Sequence, residues 1–232
     1  MNEWLPPARP AELSETRLID AILDGRFPID SALPPERELA ELLGVTRPTL
    51  RETLQRLARD GWLEIHHGRA TRVRNYWVEG NLAVLAALAR RSDHLPPHFV
   101  PQLLTVRLLL APTYTRQAVE RDPALVTTLL DDYAQLPDEA GIFARADWRL
   151  HHALTAASGN PVFTLILNGF EQLYRLMGAQ YFDNPHTRSH SRAFYDQLLA
   201  AARANDPARA EELTRQVMAE SLRFWQEVVR AA

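Results

Sequence analysis

At 232 residues and a formal net charge of −3, the chain has room for two modest domains, and 46% hydrophobic with 24% charged residues is the balance of an ordinary globular protein. The absence of cysteine excludes disulfides, thiolate nucleophiles and cysteine-ligated zinc or iron–sulfur centres. The longest apolar run, Leu82–Ala89, is far shorter than a bilayer span, and the start MNEWLPPARP lacks the basic and apolar regions of a secretion signal, so a cytoplasmic protein is expected, with no membrane partner.

Residues 1–13 are rich in proline and polar groups and read as a loose arm. Ser14 offers a cap for a first helix with Leu18, Ile19, Ile22 and Leu23 as its apolar stripe, ended by Gly25 and Pro28. In a second helix, Glu36 and Glu38 suit the positive end of the dipole after Pro34 and Pro35. Leu39, Ala40, Leu42 and Leu43 supply its apolar face, and Gly44 ends it. Thr46 caps a third helix through its hydroxyl, with Pro48 in the first turn, where a missing N–H has no partner to lose. Leu50, Leu54, Leu57 and Ala58 recur at i, i+4, i+7 and i+8, which puts Arg47 and Arg51 together on the polar side.

Asp60 and Gly61 stop that helix. Residues 62–65 alternate as a strand with Leu63 and Ile65 on one face, residues 66–69 turn around Gly68, and residues 70–74 return. Helices flanking a tight turn, followed by a β-hairpin, outline a winged helix-turn-helix over residues 1–74. Between residues 46 and 74, Arg47, Arg51, Arg56, Arg59, Arg69, Arg72 and Arg74 stand against Glu52, Asp60 and Glu64. That leaves +4 here and −7 for the rest of the chain. A basic helix and wing on an otherwise acidic protein is the electrostatic footprint of a phosphate-binding DNA reader.

Residues 75–81 (NYWVEGN) read as a connector whose aromatic pair packs against a domain. From Leu82 on, the signal is all helix, punctuated at residues 92–97, Pro112, Asp122-Pro123, Pro137-Asp138, 158–161, 183–185 and 205–207. Six or seven helices would form an all-α bundle over residues 82–232, so the fold class is mainly α, a winged helix-turn-helix plus a helical bundle.

Three of these helices carry unusual polar and aromatic residues. Leu173, Tyr174, Met177 and Tyr181 share one face, and Met218, Ser221, Leu222 and Trp225 share another. Arg107 interrupts the apolar run LLTVRLLL, and a desolvated arginine needs an anion, either an internal Asp or Glu or a ligand phosphate or carboxylate. Asp147 and His151 lie one helical turn apart and can face one metal, with His152 pointing elsewhere. His186 and His190 share the same spacing at a helix start. No G-x-S-x-G elbow, P-loop, G-x-G-x-x-G or H-E-x-x-H motif is present, so no catalytic residue is assigned and no enzyme is expected.

The run PPERELAELLGVTRPTLRETLQRLARDGWLEIHHGRATRV resembles the DNA-binding domain of GntR-family transcription regulators. Continued through NYW, it is most similar to their fatty-acid-responsive FadR-type branch, as are SGNPVFTLILNGF, YFDNP and the late ES followed by W. The resemblance implies DNA contacts from Arg37, Thr46, Arg47, Thr49, Arg51, His67 and Gly68. Pro48 departs, standing where the branch has a threonine. The resemblance also implies a homodimer on a palindromic operator and a long-chain acyl-CoA effector, with Arg107, Tyr174, Tyr181, Ser221 and Trp225 as ligand-binding candidates and no cofactor. It further implies repression of fatty-acid degradation genes and activation of unsaturated fatty-acid synthesis genes. Met218 and Ala219 replace the branch's Gly-His.

Other GntR relatives begin a metal site with the same D-x3-H pair and complete it with two later histidines. Alignment puts Tyr195 and Ala219 at those positions. A regulator of a small carboxylate bound through a metal at Asp147 and His151 is therefore the alternative, and a metal-dependent acyl-CoA hydrolase a further one.

Overall fold

The computed structural model describes residues 10–66, 68–91, 95–96 and 98–231, the side chains of 89 and 227–231 excepted. The chain folds as two compact units, residues 1–94 and 95–232.

In the first unit, α1 (Pro10–Leu23), α2 (Glu36–Leu43) and α3 (Arg47–Asp60) precede a hairpin of β1 (Leu63–Glu64) and β2 (Arg72–Val73). Leu18, Ile19, Leu39, Leu50, Leu57 and Trp62 are almost completely buried and form its core. Thr46 caps α3 as its sequence position predicts, accepting from the Thr49 N–H at 3.4 Å. Gly44 (φ +69°) and Gly61 (φ +96°) close α2 and α3 in the left-handed conformation that glycine adopts without strain. At Gly61 a side chain would also collide with the backbone, because a Cβ would fall 2.7 Å from the Glu79 carbonyl oxygen.

Three local expectations change. The helix of Ser14 begins at Pro10, so Ser14 lies inside it, buried, with its hydroxyl 2.5 Å from that of Thr53 on α3. It joins two helices instead of capping one. Residues 1–9 of the expected arm lie outside the described residues. Leu42 is 65% exposed, because Leu39, Ala40 and Leu43 already fill the contact of α2. The ladder comprises only Leu63 opposite Val73 and Glu64 opposite Arg72, so Ile65 falls beyond it and is exposed. An isolated bridge from Ala32 to Arg72 adds the segment before α2 to the hairpin.

The expected connector contains a helical turn, α4 (Tyr76–Glu79), followed by α5 (Leu82–Ala89), and both belong to the first unit. Tyr76 packs on Trp62 with ring centroids 4.7 Å apart. Asn81 donates to the Arg59 carbonyl at 3.1 Å, and Arg91, just past α5, bonds Asp20 and the Thr16 carbonyl of α1.

The second unit comprises α6 (Phe99–Arg121), α7 (Pro123–Leu130), a 3-10 turn (Tyr133–Gln135), α8 (Ala140–Ala157), α9 (Pro161–Gly169), α10 (Glu171–Asp183), α11 (Pro185–Arg203) and α12 (Pro207–Ala231). The long helices α6 and α12 pack side by side, and α8 runs among α6, α7, α9 and α10. Phe143, Leu150, Leu154, Tyr195 and Leu198 mark the core. Pro112 does not break the chain as its type suggests. It lies buried within α6, where packing against neighbouring helices outweighs the one backbone hydrogen bond that proline forgoes.

Candidate nucleic-acid interface and buried pocket

The first unit presents its polar side chains along the start of α3. Arg37 on α2 and Arg47 on α3 are exposed, and no ion pair engages either among the described residues. Arg51, also exposed, donates through Nε to Glu36 Oε2 at 2.8 Å. Thr46 and Thr49 bond each other, hydroxyl to hydroxyl, at 2.9 Å, which fixes the first turn of α3. Gly68 sits exposed at the hairpin tip with φ +73°, a turn geometry suited to glycine. His67 lies outside the described residues. The remaining arginines are divided. Arg56 bonds Glu52, Arg72 bonds Asp30 at 2.7 Å and Glu64 at 3.0 Å, and Arg74 bonds Glu79 at 3.1 Å. These three brace the domain, whereas Arg59 at the end of α3 and Arg69 in the wing are exposed, like Arg47, with no ion pair among the described residues.

In the second unit, α6, α9, α10 and α12 enclose a cavity of about 110 Å³. All five sequence-derived ligand candidates line it: Arg107 from α6, Tyr174 and Tyr181 from α10, and Ser221 and Trp225 from α12. The sequence reading missed the contribution of α9. Phe163 and Ile166 of α9 and Phe170 just past its end line the cavity at i, i+3 and i+7, a helical periodicity that was readable, and Leu103, Leu104 and Tyr114 add to the α6 wall.

One end of the cavity is polar. Arg107 donates through Nη2 to Asp147 Oδ2 at 2.9 Å, with its Cζ 4.9 Å from the centre of the Tyr174 ring. Tyr174 also donates to that oxygen, and Tyr195 donates to Oδ1 at 2.8 Å. The Tyr114 hydroxyl lies 2.8 Å from Nδ1 of the fully buried His151, whose Nε2 is 3.8 Å from Asp147 Oδ1. Burial alone would raise the Asp147 carboxyl, but the Arg107 guanidinium and the hydrogen bonds from the two phenols hold it below its usual range. Burial, with Arg107 acting in the same direction, pushes His151 down to about 3, so its imidazole is neutral at ordinary pH. A second polar spot is built from Tyr181, whose hydroxyl is 3.0 Å from Ser221 Oγ, while Ser221 donates to the Val217 carbonyl at 2.9 Å. Burial pushes the Tyr181 phenol up to about 12, so it remains a protonated donor.

This donor set does not fit a divalent metal. Asp147 already receives a guanidinium and two phenols. Of the two positions aligned with the further ligands, Tyr195 is buried and bonded to Asp147, and Ala219 has no donor atom. Among the described residues, no three His, Cys, Asp or Glu side chains lie close enough to share an ion. His186 stands at the start of α11, where Asn184 caps its N–H, and His190 follows one turn later. Their rings pack on Phe224.

A winged helix-turn-helix with exposed arginines on its third helix, in one chain with a helical unit around an apolar pocket, is the architecture of a DNA-binding regulator. Residues 14–73 match the gntR family of bacterial regulatory proteins and residues 74–231 match the FadR C-terminal domain. The chain is 45% identical over 218 residues to the fatty acid metabolism regulator protein of Edwardsiella ictaluri, covering 93% of this chain and 90% of that one. Against the protein of the same name from Shewanella sp. strain MR-4 the identity is 43% over 216 residues, with the same coverage. The Listeria monocytogenes protein Lar shares the fold at 14% identity, with a TM-score of 0.61 over 97% of this chain and 99% of that one. The chain therefore belongs to the GntR family and carries a FadR-type C-terminal domain. It is a DNA-binding transcription regulator of fatty acid metabolism, not an enzyme. No helix among the described residues is long and apolar enough to cross a membrane.

Proposed function

We propose that this regulator acts in the cytoplasm as a homodimer on a palindromic operator and is released by a long-chain acyl-CoA bound in the second unit. No cofactor takes part. The N-terminal turns of two α3 helices would read the half-sites through Arg47 and Arg51, with Arg37, Thr46 and Thr49 at the edges of the groove and His67 and Gly68 at the wing. In this reading the unliganded protein represses fatty-acid degradation genes and activates unsaturated fatty-acid synthesis genes.

The observation that carries the choice of effector is the internal pairing of Arg107 with Asp147 in an otherwise apolar pocket. Asp147 offsets the charge of Arg107, whose buried Nε–H is left without a partner for a polar atom of the ligand, and the hydrocarbon walls favour an uncharged tail. A charged CoA group then stays near the surface. Tyr181 and Ser221 are placed to orient a polar atom of the ligand. The same pairing weighs against a metal-bound small carboxylate.

Calorimetric titration with palmitoyl-CoA, palmitate, CoA and a divalent metal tests the reading. Saturable binding near one per subunit with palmitoyl-CoA alone supports it. Tight metal binding without acyl-CoA binding would move the second unit to a carboxylate-responsive role and leave the DNA-binding domain as described.

A further inference from the structure

Of the two arginines near the N-terminus of α3, Arg51 alone is engaged by an acid among the described residues. Its Nε donates to Glu36 Oε2 at 2.8 Å, from α3 to the first residue of α2, fifteen positions back in the chain. Both side chains are well exposed, 65% for Arg51 and 43% for Glu36, so the pair adds little to folding. Arg47, four residues earlier, has no such partner among the described residues. The pairing uses Nε, and the four N–H groups on the two terminal nitrogens remain on the outer edge of the guanidinium. A fork in that orientation matches the O6 and N7 atoms of a guanine. A carboxylate beside it also offsets the charge that would otherwise attract any phosphate.

We propose that Glu36 is a positioning residue for sequence reading: it holds Arg51 as a base reader and suppresses its use as a general phosphate contact. The inference rests on the DNA-reading role of α3 and extends it to an acid on α2. Discrimination between operator and random DNA then depends on Glu36 acting through Arg51. In Glu36→Gln and Glu36→Ala, Arg51 becomes a mobile full charge. Binding to random duplex tightens, and its dependence on salt steepens by up to about 0.9 in the slope of log affinity against log salt, the value for one added phosphate contact.

The probes are a duplex enriched from a random pool by the wild-type protein, the same duplex with single guanines replaced, and a scrambled duplex. Affinities are measured across a salt series. Glu36→Ala is expected to lower the operator-to-scrambled ratio about tenfold, with the loss concentrated at one guanine per half-site. Arg51→Ala should remove the preference at that same guanine, and the two substitutions together should do no more than Arg51→Ala alone. Unaltered melting temperatures for both Glu36 variants establish that folding is not the cause. An unchanged ratio and salt slope in both Glu36 variants, or losses that multiply in the double variant, would overturn the proposal. A wild-type protein that enriches no duplex would instead count against the DNA-reading role on which it rests.

Discussion

The Arg107 guanidinium and the Asp147 carboxylate meet at 2.9 Å inside the helical unit, 40 residues apart in sequence, with the Tyr174 and Tyr195 hydroxyls completing the shell of the carboxylate. Removing one charge strands the other. Asp147→Asn leaves Arg107 largely buried without its anion and should cost about 3–5 kcal/mol of stability. Arg107→Met with Asp147→Leu removes both charges and should cost less than Asp147→Asn, although the two phenols lose their acceptor. Urea unfolding of the three proteins reads the coupling. A double variant no more stable than the single one would contradict the description of the pair as a compensated unit.

Acid sensitivity should follow from His151. Its ordinary value of 6.5 is pushed down to about 3 in the folded chain, chiefly by burial. Once the pH falls below 6.5 the unfolded chain takes a proton that the folded one refuses. The contribution is therefore complete above that pH and is lost towards 3, at up to about 1.4 kcal/mol per pH unit. Asp147, also depressed, adds a loss of the same sign at still lower pH. Stability measured from pH 7 down to pH 4.5 should fall less steeply in His151→Gln than in the wild type. Parallel curves would show that burial of the neutral imidazole does not govern acid stability.

Filling the cavity should separate the two functions of the chain. Leu104 lines the pocket and takes no part in the first unit. Leu104→Trp is expected to weaken palmitoyl-CoA binding at least tenfold and to leave operator affinity in the absence of ligand within about twofold of wild type, a ratio worth less than 0.5 kcal/mol. Isothermal titration and fluorescence anisotropy measure the two quantities.

Arg47 is exposed, and no ion pair engages it among the described residues. Arg47→Ala should keep its melting temperature, lose operator affinity by about 1–3 kcal/mol, and flatten the salt dependence if the contact includes phosphate. Unaltered affinity across the salt series would remove α3 from the interface.

What the sequence made legible was local. Thr46, Gly44 and Gly61 announced helix ends through capping chemistry that depends on a few neighbouring residues, and the structure places them there. The spacing of Tyr174, Tyr181, Ser221 and Trp225 put them on common helix faces, and the pocket gathers them with Arg107. What stayed hidden was non-local. Nothing near Arg107 names Asp147 as its partner, and Tyr195, aligned only as a missing metal ligand, turns out to bond the same carboxylate. Pro112 misled because a local rule for helix breaking yields to the packing of a long buried helix. The segment 75–81 read as a connector whose aromatic pair packs against a domain, and Tyr76 does pack on Trp62, but nothing local named Trp62 or Arg59 as the partners.

The central claim is that an occupied pocket in the second unit lowers the affinity of the first for DNA. If a single ligand per subunit couples to DNA binding by 100-fold, the coupling is about 2.7 kcal/mol, and the operator must weaken palmitoyl-CoA binding by the same factor. The decisive measurement is fluorescence anisotropy of a labelled operator duplex titrated with the protein at zero and at saturating palmitoyl-CoA. The account predicts a large loss of operator affinity with palmitoyl-CoA and none with palmitate or CoA. Equal operator affinity with and without saturating palmitoyl-CoA would contradict it.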